Sequence, residues 1–336
     1  MASKEITLAF GSGGRLTNEL IRDLFVRHFS NKRLNELEDS AVLRLGRERI
    51  AFTTDSYVVT PLKFPGGDIG RIAVCGTVND LAVKGARPLA VSCGFIIEEG
   101  LERGTLEEAV VSMKKAAAEA GVEIVTGDTK VVEKGKADKL FINTSGVGLV
   151  IPGTAISQKN IRPGDVIIIN GEIAAHGVAV LNARNNLGLS GNIKSDAAPL
   201  SRMLNGLAVK FPSIRSMRDV TRGGLATVLN EAAQSSGWSM EIEEELIPVS
   251  EPVRNACSVL GLDPLYVANE GKAVIFAPEK YASKILSAMK KDKYGKKAAI
   301  IGRVLAEKKA SLKVRTPIGS ERYAVMLEGE QLPRIC

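Results

Sequence analysis

The sequence predicts a two-domain chain of mixed α+β class, ending in a tail that carries a reactive side chain. Three observations carry this expectation. Helical and strand periodicities alternate along most of the 336 residues, which is length enough for two separate cores. The alternation breaks once, at Ile151-Pro152-Gly153, and resumes near Ile161. Beyond the last predicted strand the chain closes on Pro333-Arg334-Ile335-Cys336, with a thiol on its last residue.

The first half opens on Gly11-Ser12-Gly13-Gly14, read as a flexible segment, and then on an amphipathic helix over 15–29, with Leu16, Leu20, Leu24 and Phe25 at helical spacing. Strands follow at 50–54 and 58–59. A helix over 68–84 is stopped by Gly85 and Pro88, and a strand runs over 89–97. The helix over 105–120 carries the plainest signals: Thr105 and Glu108 are spaced as a capping box, and Gly121 supplies the stop. Strands at 123–126 and 140–150 complete this half. In the second half, Pro163-Gly164-Asp165 is a turn feeding a buried strand over 166–169. Helices are expected at 177–183, 200–210, 223–235 and 279–290, the last with Pro278 near its first turn. Strands are expected at 239–242, 273–276, 311–315 and 323–326, with a polar loop at 188–196. The expected organisation is a glycine-rich leader and helix over 1–37, a first domain over 38–150, a second over 160–316, and a tail over 317–336. No repeat of solenoid length interrupts it.

Hydrophobic residues at 45% and charged residues at 25% are the values of an ordinary globular protein. No apolar run is long enough to span a bilayer, and the start of the chain lacks a signal-peptide layout, so the expected location is the cytoplasm. Cys75, Cys93, Cys257 and Cys336 show no C-x-x-C spacing, which argues against structural zinc or a disulfide framework. Only His28 and His176 are present, too few for a histidine-rich metal site. The net charge of +7 raises nucleic-acid binding, but aromatics for base stacking make up only 4%; anionic small ligands or acidic partners fit better.

No P-loop motif is present. Gly11–Gly14 could offer backbone N–H groups to phosphate, although a plain leader explains it as well. The aspartates say more. Asp39, Asp55 and Asp128 stand near strand ends, where an Asp is often only a turn former. Asp80 differs: it lies inside a predicted helix, on the small face of Ala73, Gly76 and Thr77, with no capping duty. Converging, the four would suit Mg²⁺, whose oxygen-ligand chemistry can neutralise a nucleotide without a P-loop. Gly127-Asp128-Thr129-Lys130 reads as an acid beside a base on a glycine turn. Asp219 and Thr221 in Arg218-Asp219-Val220-Thr221-Arg222-Gly223-Gly224 read as a helix cap or as part of an anion site. Glu270 is a general-base candidate, and His176 is equally a structural or a catalytic histidine. Cys336 is either an unremarkable surface residue or a sulfur nucleophile on a mobile arm.

Taken together, Glu38-Asp39-Ser40-Ala41, Thr53-Thr54-Asp55, Asn79-Asp80-Leu81-Ala82, Gly85-Ala86-Arg87-Pro88, Gly127-Asp128-Thr129-Lys130 and the Arg218–Gly224 motif resemble the aminoimidazole-ribonucleotide synthetase (PurM-like) superfamily across nearly the whole chain. Within it, Phe10–Gly14, His176-Gly177, Ala268-Asn269-Glu270-Gly271 and the Pro-Arg-Ile-Cys ending are similar to the carbamoyl dehydratases of NiFe-hydrogenase maturation. The departure is Ala174-Ala175 before His176, where relatives tend to carry Gly-Asp. The resemblance implies a dimeric PurM-like first domain binding Mg²⁺ and ATP through Asp39, Asp55, Asp80 and Asp128 with Gly127 and Thr129. It implies a carbamoyl group loaded on Cys336 by a carbamoyltransferase (HypF), ATP-dependent dehydration to a thiocyanate with Glu270 and Lys130 handling protons and Lys134 in reserve, and cyanide transfer to an iron-carrying HypC–HypD complex. A PurM-like kinase or ligase for a small molecule, such as thiamine monophosphate, and a nucleotide-binding scaffold remain alternatives. No Cys-Lys pair follows the N-terminal glycines, which disfavours the selenophosphate synthetase branch.

Overall fold

A computed structural model describes residues 5–189 and 191–327. Cys336 and the rest of the Pro-Arg-Ile-Cys ending lie outside the described residues.

The first half is built on a five-stranded sheet. Its strands are β1 Ala41–Leu45, β2 Glu48–Tyr57, β5 Ala86–Glu98, β6 Glu123–Val132 and β7 Leu140–Val150, in the order β1-β2-β7-β5-β6. A short ribbon, β3 Lys63–Phe64 and β4 Gly67–Asp68, leads into the central helix. All neighbours in the large sheet are antiparallel except β5 and β6. β7 alternates strictly: Leu140, Ile142, Thr144, Gly146, Gly148 and Val150 face inward. The helix Ile69–Val83 lies across this inner face, capped by Asp68, whose carboxylate accepts the Arg71 N–H. Thirteen of its fifteen residues are buried, all but Arg71 and Asp80. A helix buried all round must be covered on both sides; here the first-half sheet lies on one side and the second half on the other. Gly146 permits the close approach, since a Cβ there would sit 2.7 Å from Thr77 Cγ2.

The second half carries a seven-stranded sheet of β8 Asp165–Ile169, β9 Ser216–Asp219, β10 Met240–Glu243, β11 Ala273–Pro278, β12 Ala299–Val304, β13 Leu312–Arg315 and β14 Glu321–Tyr323, ordered β14-β13-β10-β12-β8-β11-β9. Every residue of β8 is buried, because helices cover both faces: Ala175–Asn185, Gly224–Ser236 and Glu251–Leu260 on one side, Ser201–Lys210 and Ala282–Met289 on the other. Ala82 and Val83 of the first half enter the core formed with the last two helices. Among the described residues no helix is long and apolar enough to cross a membrane.

Several local expectations are corrected. The helix expected at 105 starts at Arg103 with Glu102 as N-cap and no side-chain cap bond; Glu108 pairs instead with Lys63 at 2.9 Å. Gly127–Lys130 is no turn but the middle of β6. Gly127 is accommodated there because a Cβ would stand 2.3 Å from Cys93 O, a demand of strand packing that mimics a turn signal. The strand expected at 58–59 is absent, since β2 ends at Tyr57. Residues 279–281 form a 3₁₀ turn before the helix Ala282–Met289. The helix Glu251–Leu260 and strands β1, β9 and β12 were not anticipated. The helix over 15–29 is present, with a π-helical middle, Ile21–Val26.

Candidate functional site

Three carboxylates meet where the two halves touch. Asp39 precedes β1, Asp80 projects from the central helix, and Asp219 ends β9. One oxygen from each lies within 4.8 Å of the others. The Thr53 hydroxyl ties two of them together, 2.7 Å from Asp80 Oδ2 and 3.0 Å from the Asp39 carbonyl, while Ser40 Oγ donates to the Asp80 carbonyl at 2.9 Å. Behind the cluster, Arg218 Nε lies 2.8 Å from Asp39 Oδ1, and Arg218 Nη2 donates to Glu231 at 3.0 Å. Lys84 sits 3.3 Å from Glu38.

Burial and mutual repulsion dominate the electrostatics. Burial pushes the Asp39 carboxyl up to about 8, with the Asp219 charge adding to it against the pull of Arg218. Asp219 is raised to about 6, again chiefly by burial. Asp80 is raised well above its ordinary value by burial and then by Asp219, Asp39 and Asp55. Asp39 Oδ2 is buried without a hydrogen-bond partner. A crowded set of hard, underused oxygens fits a divalent cation such as Mg²⁺, whose charge would offset the crowding.

A second feature adjoins the cluster. A cavity of about 20 Å³ opens between Asp55, Tyr57, Gly76, Asp219, Arg222 and Glu270. Glu270 is buried and its backbone is clamped at both ends: its N–H donates to Asp196 Oδ1 at 3.1 Å, and its carbonyl accepts from Asn79 Nδ2 at 3.4 Å. Asp196 also lies 2.8 Å from Lys272 Nζ. Burial alone would raise its pKa; the charges of Lys272 and His176 outweigh it and hold the carboxyl below its ordinary value. His176 is fully buried, with Nδ1 2.8 Å from Ser195 Oγ and its ring edge-on to Phe64. His176 is not among the residues that line the cavity. Ala174 holds φ +72°, a conformation that favours glycine, and its N–H is tied to Asn269 Oδ1 at 2.7 Å.

Arg222 links the cavity to the glycine segment and to the root of the tail. Its Nη1 donates to the Gly11 carbonyl at 3.2 Å, and a Cβ on Gly13 would meet Arg222 Cβ at 2.9 Å. A Cβ on Gly14 would strike the Leu327 carbonyl at 2.4 Å, the same oxygen that accepts the Arg15 N–H. Gly11–Gly14, expected as a flexible leader, is therefore packed between the site and the last described residues. Gly223 and Gly224 both take positive φ at the turn from β9 into the next helix, so neither Asp219 nor Thr221 caps it.

Of the expected aspartates, Asp39 and Asp80 are brought together, and Asp55 lines the adjoining cavity. Asp128 is not. It registers with Gly94 and Asn143, on the opposite face of the sheet from Asp55, which registers with Thr144. There it pairs with Lys130 at 2.5 Å, both exposed, and that hydrogen bond holds its pKa below the ordinary value. Gly127 and Thr129 share that edge strand. Asp219 was legible as a cap or as part of an anion site, not as a partner of Asp39 and Asp80, and Tyr57 left no signal at all; the dense Arg218–Gly224 motif was the available hint for Asp219.

Two family models cover the chain: AIR synthase related protein, N-terminal domain, over residues 37–150, and AIR synthase related protein, C-terminal domain, over 162–315. The Rhodobacter capsulatus carbamoyl dehydratase HypE is 48% identical over 100% of this chain and 99% of its own. The chain belongs to the HypE family. A solved HypE in complex with ATP is 49% identical, with a TM-score of 0.84 over 98% of this chain and 100% of that one. HypE in a HypE–HypF complex aligns with a TM-score of 0.88 at 46% identity, over 92% of this chain and 99% of that one. The HypE fold thus runs through both halves described above.

Proposed function

We propose that this chain is an ATP-dependent carbamoyl dehydratase, a lyase that converts a carbamoyl group on its own Cys336 into a thiocyanate during hydrogenase maturation. The observation that carries the reading is the Asp39–Asp80–Asp219 cluster beside the Glu270 cavity, with Leu327 held by the glycine segment that Arg222 of that cavity contacts. From Leu327, nine residues lead to Cys336, a span of at most about 30 Å when extended. Full-length identity to carbamoyl dehydratases and an ATP-bound relative support the same reading.

The chemistry follows from the carbamoyl group itself. An amide cannot expel its oxygen as hydroxide, so that oxygen must first become a better leaving group. The carbonyl oxygen attacks the γ-phosphorus of ATP, ADP leaves, and the first of the two N–H protons passes to solvent water, so that a neutral O-phosphorylated imidate, with one N–H left, forms on Cys336. Glu270, sheltered and held by its clamped backbone, then takes the N–H proton. The N–H electron pair becomes the third C–N bond, the C–O bond breaks, and phosphate departs, leaving the thiocyanate. Tethering on the tail supplies a high effective concentration of the reacting group. Asp39, Asp80 and Asp219, with Asp55 alongside, would hold Mg²⁺, which when bound neutralises phosphate charge. Arg222 and the packed glycine segment orient the polyanion.

The dimer belongs to the same proposal. The outer face of the five-stranded sheet exposes Leu43, Phe52 and Ile96, and Val125 and Val131 stand exposed on its edge strand. A second copy covering this face would carry Asp128, Thr129 and Lys130 to the neighbouring subunit's nucleotide, where Lys130, or Lys134 from the following turn, would act. The carbamoyl donor is a HypF-type carbamoyltransferase, in line with the solved HypE–HypF complex, and the cyanide acceptor is a HypC–HypD-type iron carrier.

The test is intact-protein mass after loading by the carbamoyltransferase, before and after Mg-ATP. The expected result is gain of one carbamoyl group and then loss of one water, both absent in Cys336→Ala. A loaded carbamoyl group that persists through ATP treatment would favour a scaffold. ATP turnover on a small molecule, independent of Cys336, would favour a kinase or ligase.

A further inference from the structure

Tyr57 presents a problem of hydrogen bonding. Its ring is part of the first-half core, packed among the buried side chains of the central helix, and the residue is 2% exposed. Its hydroxyl has no hydrogen-bond partner among the described residues. Buried polar groups are nearly always satisfied, and an orphan calls for a reason. The Thr77 hydroxyl is near enough to act on that of Tyr57, but its short contact is with Thr144 and it makes no well-formed hydrogen bond to Tyr57. Thr144 Oγ1 donates to the Ala73 carbonyl at 3.0 Å, so the 2.5 Å contact between the two threonines uses the single Thr77 proton. A phenylalanine would fill the core equally well, so packing explains the ring and leaves the oxygen unexplained.

The surroundings are built to admit that oxygen. Gly76 faces it from the central helix, and a Cβ there would lie 2.2 Å from the hydroxyl. Tyr57 lines the cavity of about 20 Å³ that Gly76, Glu270 and Arg222 also line. That volume admits about one water-sized group. It is too small for any part of a nucleotide beyond a single oxygen, and about right for the NH₂ or NH end of a carbamoyl group.

We propose that Tyr57 is a further catalytic residue of the dehydration, donating its O–H to the nitrogen of the O-phosphorylated imidate while Glu270 removes the N–H proton. This rests on the reading of the site as a carbamoyl dehydratase. The proposal turns on a change in the substrate. An amide nitrogen has its lone pair delocalised into the carbonyl and accepts hydrogen bonds poorly. Once the oxygen carries phosphate, the nitrogen becomes imine-like, with an in-plane lone pair that accepts well. The Tyr57 hydrogen bond therefore strengthens only after phosphorylation, which is the kind of interaction that accelerates a step rather than merely tightening binding. Donation to that lone pair also draws electron density from nitrogen and makes the departing N–H more acidic. Atoms and electrons balance as before: Tyr57 keeps its proton, Glu270 gains one, the C–N bond gains a pair, and phosphate takes the C–O pair.

The experiment is single-turnover dehydration of the carbamoyl-loaded full chain by intact mass, with Tyr57→Phe beside the wild type. Loading and ATP affinity are measured on both proteins, along with thermal melts. The variant is expected to load normally and bind ATP normally. It should melt no lower than the wild type, because removing an orphaned buried hydroxyl removes its desolvation penalty. Loss of water should slow by about 100- to 1,000-fold, the effect of deleting one well-placed donor to the reacting atoms. Dehydration within about twofold of a working wild type would overturn the role of the hydroxyl alone. A slow variant that also melts lower and loads poorly would mark a structural hydroxyl and overturn it equally. A wild type that loads and never loses water would overturn the underlying dehydratase reading and this inference with it.

Discussion

Asp80 is held among other carboxylates at a cost that a proton or a bound cation would relieve, and a single isosteric change separates the two sides of that balance. Asp80→Asn keeps an oxygen for the Thr53 hydroxyl, now 2.7 Å from Oδ2, and deletes one of the charges that crowd Asp39 and Asp219. The metal-free variant should melt higher than the wild type, since an uncompensated buried charge is costly. Its gain in melting temperature on adding Mg-ATP should shrink, with affinity falling by about tenfold or more, or ~1.4 kcal/mol. Melts with and without Mg-ATP read both; a variant that loses stability in both states would show a structural aspartate. The place of Asp80 in the cluster was legible because a mid-helix carboxylate on a small face has no local duty. Asp219 was not, because its motif reads equally as a cap, and only the packing of β9 against the central helix brings it to Asp39. Asp128 lies away from its own subunit's cluster for a simple reason. Side-chain parity along a strand decides the face, and Gly127 suggested a turn where there is a strand.

Among the elements, the central helix and the edge strand β6 divide the work. Ile69–Val83 was recognised as a helix over 68–84 stopped by Gly85 and Pro88, and its burial on all sides explains why it can offer a carboxylate to a site between two sheets. β6 was recognised for only its first four residues, because Gly127-Asp128 is turn chemistry in sequence terms. Its length matters, since an exposed edge with apolar residues invites pairing with another chain. Phe52→Glu combined with Ile96→Glu places two charges on the exposed outer face while leaving the inner core untouched. The wild type should sediment as a dimer, and the double variant as a monomer at the same concentration. ATP binding should weaken with it, because Asp128, Thr129 and Lys130 would no longer meet a neighbouring site. A stable monomer that binds ATP as tightly as the wild type would show that this face contributes nothing to the nucleotide. A dimer that survives both charges would place the interface elsewhere.

For the molecule as a whole, the cluster ties the halves together: Asp39 and Asp80 come from the first and Asp219 from the second. Stability should therefore depend on pH in a way that the cation controls. Asp39 is raised from 3.8 to about 8 and Asp219 from 3.8 to about 6, and Asp80 is raised as well. A carboxyl with a raised folded-state pKa binds more protons folded than unfolded. Its contribution is fully present below about pH 4 and is lost as pH climbs through the folded value. The opposite sign holds for Glu38, which burial would raise but Lys84 and Ser157 hold low, and for Asp196 beside Lys272; these contribute above the ordinary carboxyl range and are lost in acid. The metal-free chain should thus be most stable near pH 5, and its melting temperature should fall between about pH 6 and pH 8 as the cluster ionises against itself. Mg²⁺ competes with protons for the same oxygens, so its stabilising effect should run the other way, small near pH 5.5 and growing toward pH 8, with protons released on binding. Thermal melts over that range, with and without Mg²⁺, measure both slopes. A metal-free melting temperature that stays level across the window, or a Mg²⁺ gain that ignores pH, would mean that the three aspartates do not share one cation.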